Sequence, residues 1–321
     1  MAMTQDPGPG GGRLLTHRAA VIGQPVTHSL SPVLHRAAYA DLGLEDWHYG
    51  TREVVPDGLA GLLADVAAPA GPGPEWAGLS VTMPHKQVIA SMLDVVDPLA
   101  RTVGAINTVV AQRSGRGPAL LAGFNTDVAG IVQALRETRM AAAGARAGRD
   151  WGSALILGSG ATACSAVAAL SEVGVGSIAV AARRHAGPRR AAAAAHRMGV
   201  AIETLDWQPG RAGSDEALAR RMAGCGVVVS TLPSRGADDL AGVLARQLSV
   251  RPCASGAVLL DVAYDPWPSA LAAAWHAAGG AVAPGWLMLL HQAVDQVRLF
   301  TGHSPRLEPM RQALLLALQA R

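Results

Sequence analysis

Apolar residues along this chain fall in short runs punctuated by Gly, Pro and single polar residues. These runs alternate with stretches whose apolar positions recur every three to four residues. "AAVIG" (19–23) reads as a short buried strand. "SPVLHRAAYADLG" (31–43) reads as a helix that opens with Ser31 as N-cap and Pro32 at the first helical position and closes at a glycine. Further strands are predicted at 47–53, 79–83, 107–111 and 120–124, and helices starting near Pro56, Pro84 and Thr126. In "SVTMPHK" (80–86) the strand ends at Met83 and Pro84 begins a helix, since its fixed φ and missing N–H cost little there. Lys86 then falls in the first turn, where the helix dipole disfavours a cation by roughly 0.3–1 kcal/mol. A lysine in that place calls for a local reason.

The small-residue segment "AAAGARAGRD" (141–150) reads as a linker, and a second unit begins after it. "SALILGSGATACSAVAAL" (153–170) is an apolar strand running straight into a Gly-rich turn and an Ala-rich helix. Strands are predicted at 177–182, 201–205, 226–231 and 257–263, separated by helical or turn stretches, and helices near 285–301 and 305–320 follow. This βαβ rhythm predicts an α/β protein whose second half is a doubly wound parallel sheet of the Rossmann type. The last two helices are expected to return to the first half. The opening "MAMTQDPGPGGGRLLTHR" is rich in Pro and Gly and lacks the apolar core of a signal peptide, so 1–17 reads as a floppy lead-in. There is no internal repeat.

With 321 residues, half of them hydrophobic, the chain can bury a large core and is expected to make two domains. A formal net charge of +3, a pI near 9.0 and 16% charged residues give no basic surface suited to nucleic acid. No run approaches the ~18 unbroken apolar residues of a membrane span. Cys164, Cys225 and Cys253 match neither a zinc pattern nor a disulfide framework, which points to a reduced, intracellular, soluble and cytoplasmic chain. His28 and His35 lie seven apart with no carboxylate at ligand spacing, so no metal site is expected. His85 and His291 neighbour candidate site residues, but adjacent side chains on a helix point different ways.

"GSGATA" fits G-x-G-x-x-A through Gly158, Gly160 and Ala163 and lies between a strand and a helix, as a dinucleotide fingerprint must. Its glycines let backbone N–H groups approach a pyrophosphate whose charge the helix N-terminus favours. The second strand of the unit ends in Ala182, Arg183 and Arg184, with Arg189 and Arg190 just beyond. Where an acid would hold the ribose hydroxyl of NAD, arginines suit the 2′-phosphate of NADP(H) by charge and by forked hydrogen bonding. In the first half, Ser29, Ser31, Thr82, Lys86, Asn107 and Asp127 all fall near predicted strand or helix ends. Thr126 is the expected cap of the helix that carries Asp127. In an open α/β sheet such ends face the binding crevice, and this mixture of groups suits a small polyhydroxylated acid.

Seven stretches occur in order: "GQPVTHSLSPVLH" (23–35), "LSVTMPHK" (79–86), "GAINTVV" (104–110), "GFNTD" (123–127), "LILGSGATA" (155–163), "DVAY" (261–264) and "GWLMLLHQA" (285–293). Through them the sequence resembles the shikimate dehydrogenase family over nearly its whole length. The resemblance implies a shikimate-binding domain at 18–127, completed by the helices of 286–321, and an NADP-binding domain at 128–285. It implies that Ser29 and Ser31 hold the substrate carboxylate and that Thr82, Asn107 and Gln292 contact the carboxylate or ring hydroxyls. Lys86 and Asp127 would flank the reacting C3 oxygen as the catalytic pair, with Tyr264 beside nicotinamide and substrate. Gly158, Ser159, Gly160, Ala161, Thr162, Ala182, Arg183, Arg184, Thr231, Val262, Gly285 and Met288 would line the cofactor. The implied reaction is reversible NADPH-dependent reduction of 3-dehydroshikimate to shikimate, a step toward chorismate and the aromatic amino acids, by a monomer or homodimer.

The sequence departs from the family pattern at Arg36 and Ser80, where asparagines are common, and at Ala182-Arg183-Arg184, where Asn-Arg-Thr is usual. Two other readings share these residues. One is a quinate or aminoshikimate dehydrogenase of the same fold, against which the Ser29/Ser31 pair and the missing strand-end acid argue. The other is a non-catalytic metabolite sensor, against which the retention of both Lys86 and Asp127 argues.

Overall fold

The computed structural model describes residues 14–143 and 151–321, so most of the expected lead-in and of the linker at 141–150 lies outside the described residues. The first lobe runs β1 (His17–Gly23), α1 (Ser31–Asp41), β2 (Trp47–Glu53), α2 (Leu59–Ala67), β3 (Glu75–Val81), β4 (Val95–Val96), α3 (Pro98–Val103), β5 (Thr108–Gln112) and β6 (Leu120–Phe124). Its sheet has the order β2-β1-β3-β5-β6-β4. Strands β1, β2 and β3 are parallel, whereas β5 is antiparallel to both β3 and β6. Alternate residues of β1 feed opposite faces: Ala19 and Val21 join a core with Leu34 and Ala38 of α1, and Ala20 and Ile22 join another with Leu59, Leu62 and Leu63 of α2. A strand covered on both faces reads as an unbroken apolar run, which is why "AAVIG" shows no alternation.

The second lobe is reached through α4 (Asp127–Ala143) and runs β7 (Ser153–Leu157), α5 (Ala161–Val173), β8 (Ser177–Ala182), α6 (Ala191–Met198), β9 (Ile202–Asp206), α7 (Ala212–Ala223), β10 (Val227–Ser230), α8 (Asp238–Val250), β11 (Val258–Asp261), α9 (Ala270–Ala277) and β12 (Ala281–Pro284). All its strands pair in parallel in the order β12-β11-β10-β7-β8-β9, so the order reverses between β7 and β10. Ligand crevices open at such a switch point, beyond the carboxyl ends of the strands. The chain then returns through α10 (Gly285–Thr301) and α11 (Leu307–Gln319), which pack on α1, while α10 also lies along α4 and over β3 and β5. Glu137 of α4 fixes this group of helices by accepting from Arg311 Nη2 of α11 at 2.9 Å and lying 2.9 Å from His291 Nε2 of α10.

Two local readings are corrected and a third is refined. Pro84 does not begin an α-helix; His85–Gln87 is a 3₁₀ turn, followed by another at Ile89–Met92. The cause is that the Lys86 carbonyl accepts the Ile106 N–H at 2.7 Å, which removes it from any helical ladder. The dipole penalty expected for Lys86 therefore does not arise. Ser31 is the first residue of α1 and not its cap; Leu30 holds that place, and the Ser31 N–H is satisfied by Ser29 Oγ at 3.2 Å. Thr126 holds the place before α4, its carbonyl accepting the Gly130 N–H at 3.0 Å, but the side chain that caps the first turn is Asn125, whose Oδ1 accepts from the Val128 N–H at 3.2 Å, leaving the Thr126 hydroxyl free for other partners. Strands β4 and β12 and helix α3 are too short to carry a legible period.

Helices α4 and α10 cross where Gly130 has no side chain. A Cβ there would lie 2.9 Å from both Gln292 Cβ and the Met288 carbonyl. Gly130→Ala should therefore force the helices apart, costing about 1–3 kcal/mol in chemical denaturation. Gly61→Ala on the exposed face of α2, where nothing lies within 4 Å, should instead stabilise by about 0.4–1 kcal/mol.

Candidate active site

The antiparallel placement of β5 brings different kinds of chain end to one edge of the first sheet. Strands β1, β3 and β6 finish there and β5 starts there. Ser29 and Ser31 follow β1, Thr82 and Lys86 follow β3, Asn107 precedes β5 and Asp127 follows β6. All six line one cavity of about 510 Å³, together with Tyr264 from beyond β11 and Gln292 from α10. Met288 lines it too, one helical turn from Gln292 on the same face of α10. The opposite wall comes from the second lobe, through Thr162 at the start of α5, Leu232–Ser234 after β10 and Val262–Asp265 after β11.

Within the cavity the Lys86 ammonium donates to Asp127 Oδ2 at 2.6 Å, the two side chains being 16% and 4% exposed. The other carboxylate oxygen, Oδ1, accepts from Asn107 Nδ2 at 2.8 Å. Asn107 is itself buried and accepts from the Thr126 N–H at 2.8 Å and the Thr108 hydroxyl at 2.9 Å. Its Nδ2 also lies 2.8 Å from Thr126 Oγ1 and 3.2 Å from Gln292 Oε1. One amide with two hydrogens faces three acceptors, so the most distant, Gln292, keeps the most capacity for a ligand. Lys86 likewise has three N–H groups and spends one on Asp127. The result is a cation and an anion fixed side by side at the end of a polar cavity, able to pass or stabilise a proton on an adjacent oxygen.

A second buried layer lies beneath. The Tyr49 hydroxyl donates to Ser80 Oγ at 2.6 Å, Ser80 donates to Gln296 Oε1 at 2.7 Å, and Gln296 Nε2 donates to the Asn107 carbonyl at 3.1 Å and the Thr108 hydroxyl at 3.0 Å. His35 stacks on Tyr49 with centroids 3.8 Å apart and sits 3.3 Å from Gln296. Ser80 and Gln296 both reach the cavity wall. Gln296 is a site residue that the sequence reading missed, although the signal was present: it lies four positions after Gln292 and eight after Met288, on one helical stripe. Of the histidines beside site residues, His85 turns away to the Val54 carbonyl at 2.8 Å and His291 to Glu137. His28 lines the cavity.

The Gly-rich turn has the geometry a dinucleotide needs. Gly158 has φ +102°, and a Cβ on it would meet Thr231 Oγ1 at 2.5 Å, so the turn closes against the end of β10 only because the side chain is missing. A Cβ on Gly160, the N-cap of α5, would meet nothing within 4 Å, so the helix N-terminus faces open space. Gly285 is a third close approach, where a Cβ would lie 2.3 Å from the Val262 carbonyl. Thr162, Val262, Gly285 and Met288 share the cavity with the polar residues of the first lobe. Gly158, Ser159, Gly160, Ala161, Ala182, Arg183, Arg184 and Thr231 lie outside it. Two of these spend their hydroxyls on the protein: Ser159 Oγ accepts from the Ala191 N–H at 3.2 Å and Thr231 Oγ1 donates to the Leu157 carbonyl at 2.8 Å. Arg183 and Arg184 are exposed just past β8, and no carboxylate among the described residues pairs with them. At the end of β11, Asp261 is buried, which raises its pKa against the pull of Ser269 Oγ, a donor at 2.6 Å. It holds the turn leading to Tyr264 by accepting from the Ala263 N–H at 3.3 Å.

Known proteins resemble this chain in both sequence and fold. The family model for the shikimate dehydrogenase substrate binding domain matches residues 21–109, and that for the shikimate 5′-dehydrogenase C-terminal domain matches 285–315. The shikimate dehydrogenase (NADP(+)) of Citrifermentans bemidjiense is 36% identical over 304 residues, covering 94% of this chain and 96% of its own. The crystal structure of Mycobacterium tuberculosis shikimate dehydrogenase superposes with a TM-score of 0.73 at 40% identity, over 94% of this chain and 99% of that one. The Thermus thermophilus shikimate 5-dehydrogenase, solved in complex with NADP(H) and shikimate, superposes with a TM-score of 0.71 at 29% identity, over 94% of this chain and all of that one.

Burial pushes the His35 imidazole down to about 3, against the opposing hydrogen bond that it donates to Gln296 Oε1. An unfolded histidine takes up a proton near pH ~6.5, so below that pH the unfolded chain binds a proton that the native fold refuses. Stability should therefore decline as pH falls from about 6.5 toward 3. The urea midpoint of the wild type should drop more steeply between pH 7 and 4 than that of His35→Phe, which keeps the stack on Tyr49.

Proposed function

The chain belongs to the shikimate dehydrogenase family, and from that premise we propose that it interconverts shikimate and 3-dehydroshikimate with NADP(H), in the pathway toward chorismate. The observation that carries the reading is the Lys86–Asp127 pair, 2.6 Å apart in a cavity shared by hydroxyls of the first lobe and backbone of the dinucleotide lobe. Residues 18–127 with 286–321 act as the substrate domain and 128–285 as the dinucleotide domain. The substrate carboxylate is held by the Ser29 and Ser31 hydroxyls, and its ring hydroxyls by Thr82, Asn107 and Gln292. This orients C3 and its oxygen toward Lys86 and Asp127.

NADP(H), when bound, supplies or accepts the hydride at C3. The rest of the work belongs to the chain. In reduction, the Lys86 ammonium donates to the oxygen on which negative charge develops, and Asp127 holds that ammonium in place through the ion pair. In oxidation the same pair takes the hydroxyl proton. Asn107 keeps Asp127 from rotating, so the donor is oriented before substrate arrives. Charge-matched arginines at 183 and 184 select the 2′-phosphate of NADP over the bare ribose of NAD.

Three measurements test this. Initial rates with shikimate and NADP⁺, with quinate and NAD⁺ run in parallel, should show turnover concentrated in the shikimate–NADP⁺ wells; a preference for quinate or NAD⁺ would overturn the specificity assigned. Lys86→Ala should lower kcat by a factor of about 10²–10⁴ while NADP⁺ affinity, read by fluorescence titration, stays within twofold. Unchanged turnover in that variant would remove Lys86 from the mechanism. Arg183→Ala with Arg184→Ala should raise the KM for NADP⁺ and leave that for shikimate unaltered.

A further inference from the structure

Helix α11 ends at Gln319, and the next residues carry the chain to the mouth of the cavity. There Arg321 bridges the two lobes. Its Nη2 donates to the His28 carbonyl at 2.7 Å, and its Nη1 lies 3.4 Å from Asp265 Oδ2. His28 directly precedes Ser29 and Asp265 directly follows Tyr264, so the guanidinium touches the lip of each lobe one residue from a proposed substrate contact. Arg321, His28, Ser29, Tyr264 and Asp265 line the same cavity as Lys86 and Asp127. One further contact runs along the same lips: Ser234 Oγ donates to the Asp265 carbonyl at 2.5 Å.

Charge decides what this bridge can do. Of the residues lining the cavity, Lys86 and Arg321 are the lysine and the arginine. Lys86 is closely neutralised by Asp127 at 2.6 Å, whereas Arg321 meets Asp265 loosely, at 3.4 Å, through an acid that is 57% exposed. The Ser29 and Ser31 hydroxyls are neutral donors, and a carboxylate transferred from water onto neutral donors alone loses more hydration than they return. We propose that Arg321, set between the lips of the cleft, is a substrate-positioning residue that supplies the positive charge facing the substrate's carboxylate end. The proposal rests on the function assigned above and extends it to a charge requirement in the substrate: an anionic ring acid is favoured over its neutral counterpart.

The test compares wild type with Arg321→Gln and Arg321→Lys, using shikimate and its methyl ester, each with saturating NADP⁺. For shikimate the KM should rise roughly fivefold in Arg321→Gln, the order expected of one partly exposed charge pair. Its kcat and the KM for NADP⁺ should stay within twofold, and Arg321→Lys should recover part of the loss. The methyl ester should show no difference between wild type and Arg321→Gln. Added salt should shrink the shikimate difference, because exposed charges are screened over about 10 Å at 0.1 M. A rise in KM that is equal for acid and ester, or no rise at all, overturns the proposal while leaving the enzyme assignment intact. A wild-type protein that neither binds shikimate by calorimetry nor oxidises it overturns the assignment beneath it and the proposal together.

Discussion

The site depends on the burial of one amide. Asn107 is 2% exposed, and a polar side chain taken out of water must have its hydrogen bonds made or lose a few kcal/mol, about 1–3 by mutational measures. Its partners come from three separate places in the sequence: Thr108 beside it, Thr126 and Asp127 at the start of α4, and Gln292 on α10. Satisfying Asn107 therefore fixes the start of β5, the first turn of α4 and the face of α10 relative to one another. Asp127 is aimed by that constraint, and Lys86 is aimed by Asp127. The geometry of the pair follows from the desolvation of a group that itself carries no charge.

The same constraint explains why the helices around the site approach so closely. Gln292 can reach Asn107 only if α10 lies tight against α4, and Gly130 is where that contact occurs. Gln296, one turn further on, brings the second buried layer under the same control by bonding the Asn107 carbonyl and the Ser80 hydroxyl. Ser80 in turn accepts from the Tyr49 hydroxyl of β2, which ties another strand into the same layer.

How far this was legible before the structure varies by the range of the interaction. Strands covered on both faces, such as β6 and β8, were read to the residue because their apolar runs are bounded by turn residues. Helix α10 was read in full because its period is uninterrupted. Lys86 was misread locally, since a backbone bond to Ile106, twenty residues away, decides whether a helix can start at Pro84, and no local pattern records it. Thr126 was read as the cap of α4 and holds that place, but its hydroxyl is claimed by Asn107 and the side-chain bond falls to Asn125, which no local pattern records. The polar residues of the cavity were identifiable as a set because strand ends gather at one edge. Their mutual distances, and the layer formed by Tyr49, Ser80, His35 and Gln296, required the fold.

The ties between the lobes are unevenly distributed, which bears on how the cleft works. Away from the mouth they are dense and partly buried. Arg197 of α6 caps α3 by donating to the Thr102 and Val103 carbonyls at 2.9 and 3.0 Å, Gln87 donates to the Arg189 carbonyl at 2.8 Å, and the buried Asn125 amide reaches Ser165 of α5 at 3.0 Å. Gly104, in the left-handed conformation with φ +76°, leaves the room that Arg197 occupies, since a Cβ there would sit 2.4 Å from its Nη2. At the mouth the Arg321–Asp265 pair is half in water. Contacts with exposed hydrogen bonds and few apolar neighbours open at the lowest free energy. Motion between the lobes should then hinge on the α3–α6 side and open on the side of Ser29 and Tyr264, which is where a ligand must enter and leave.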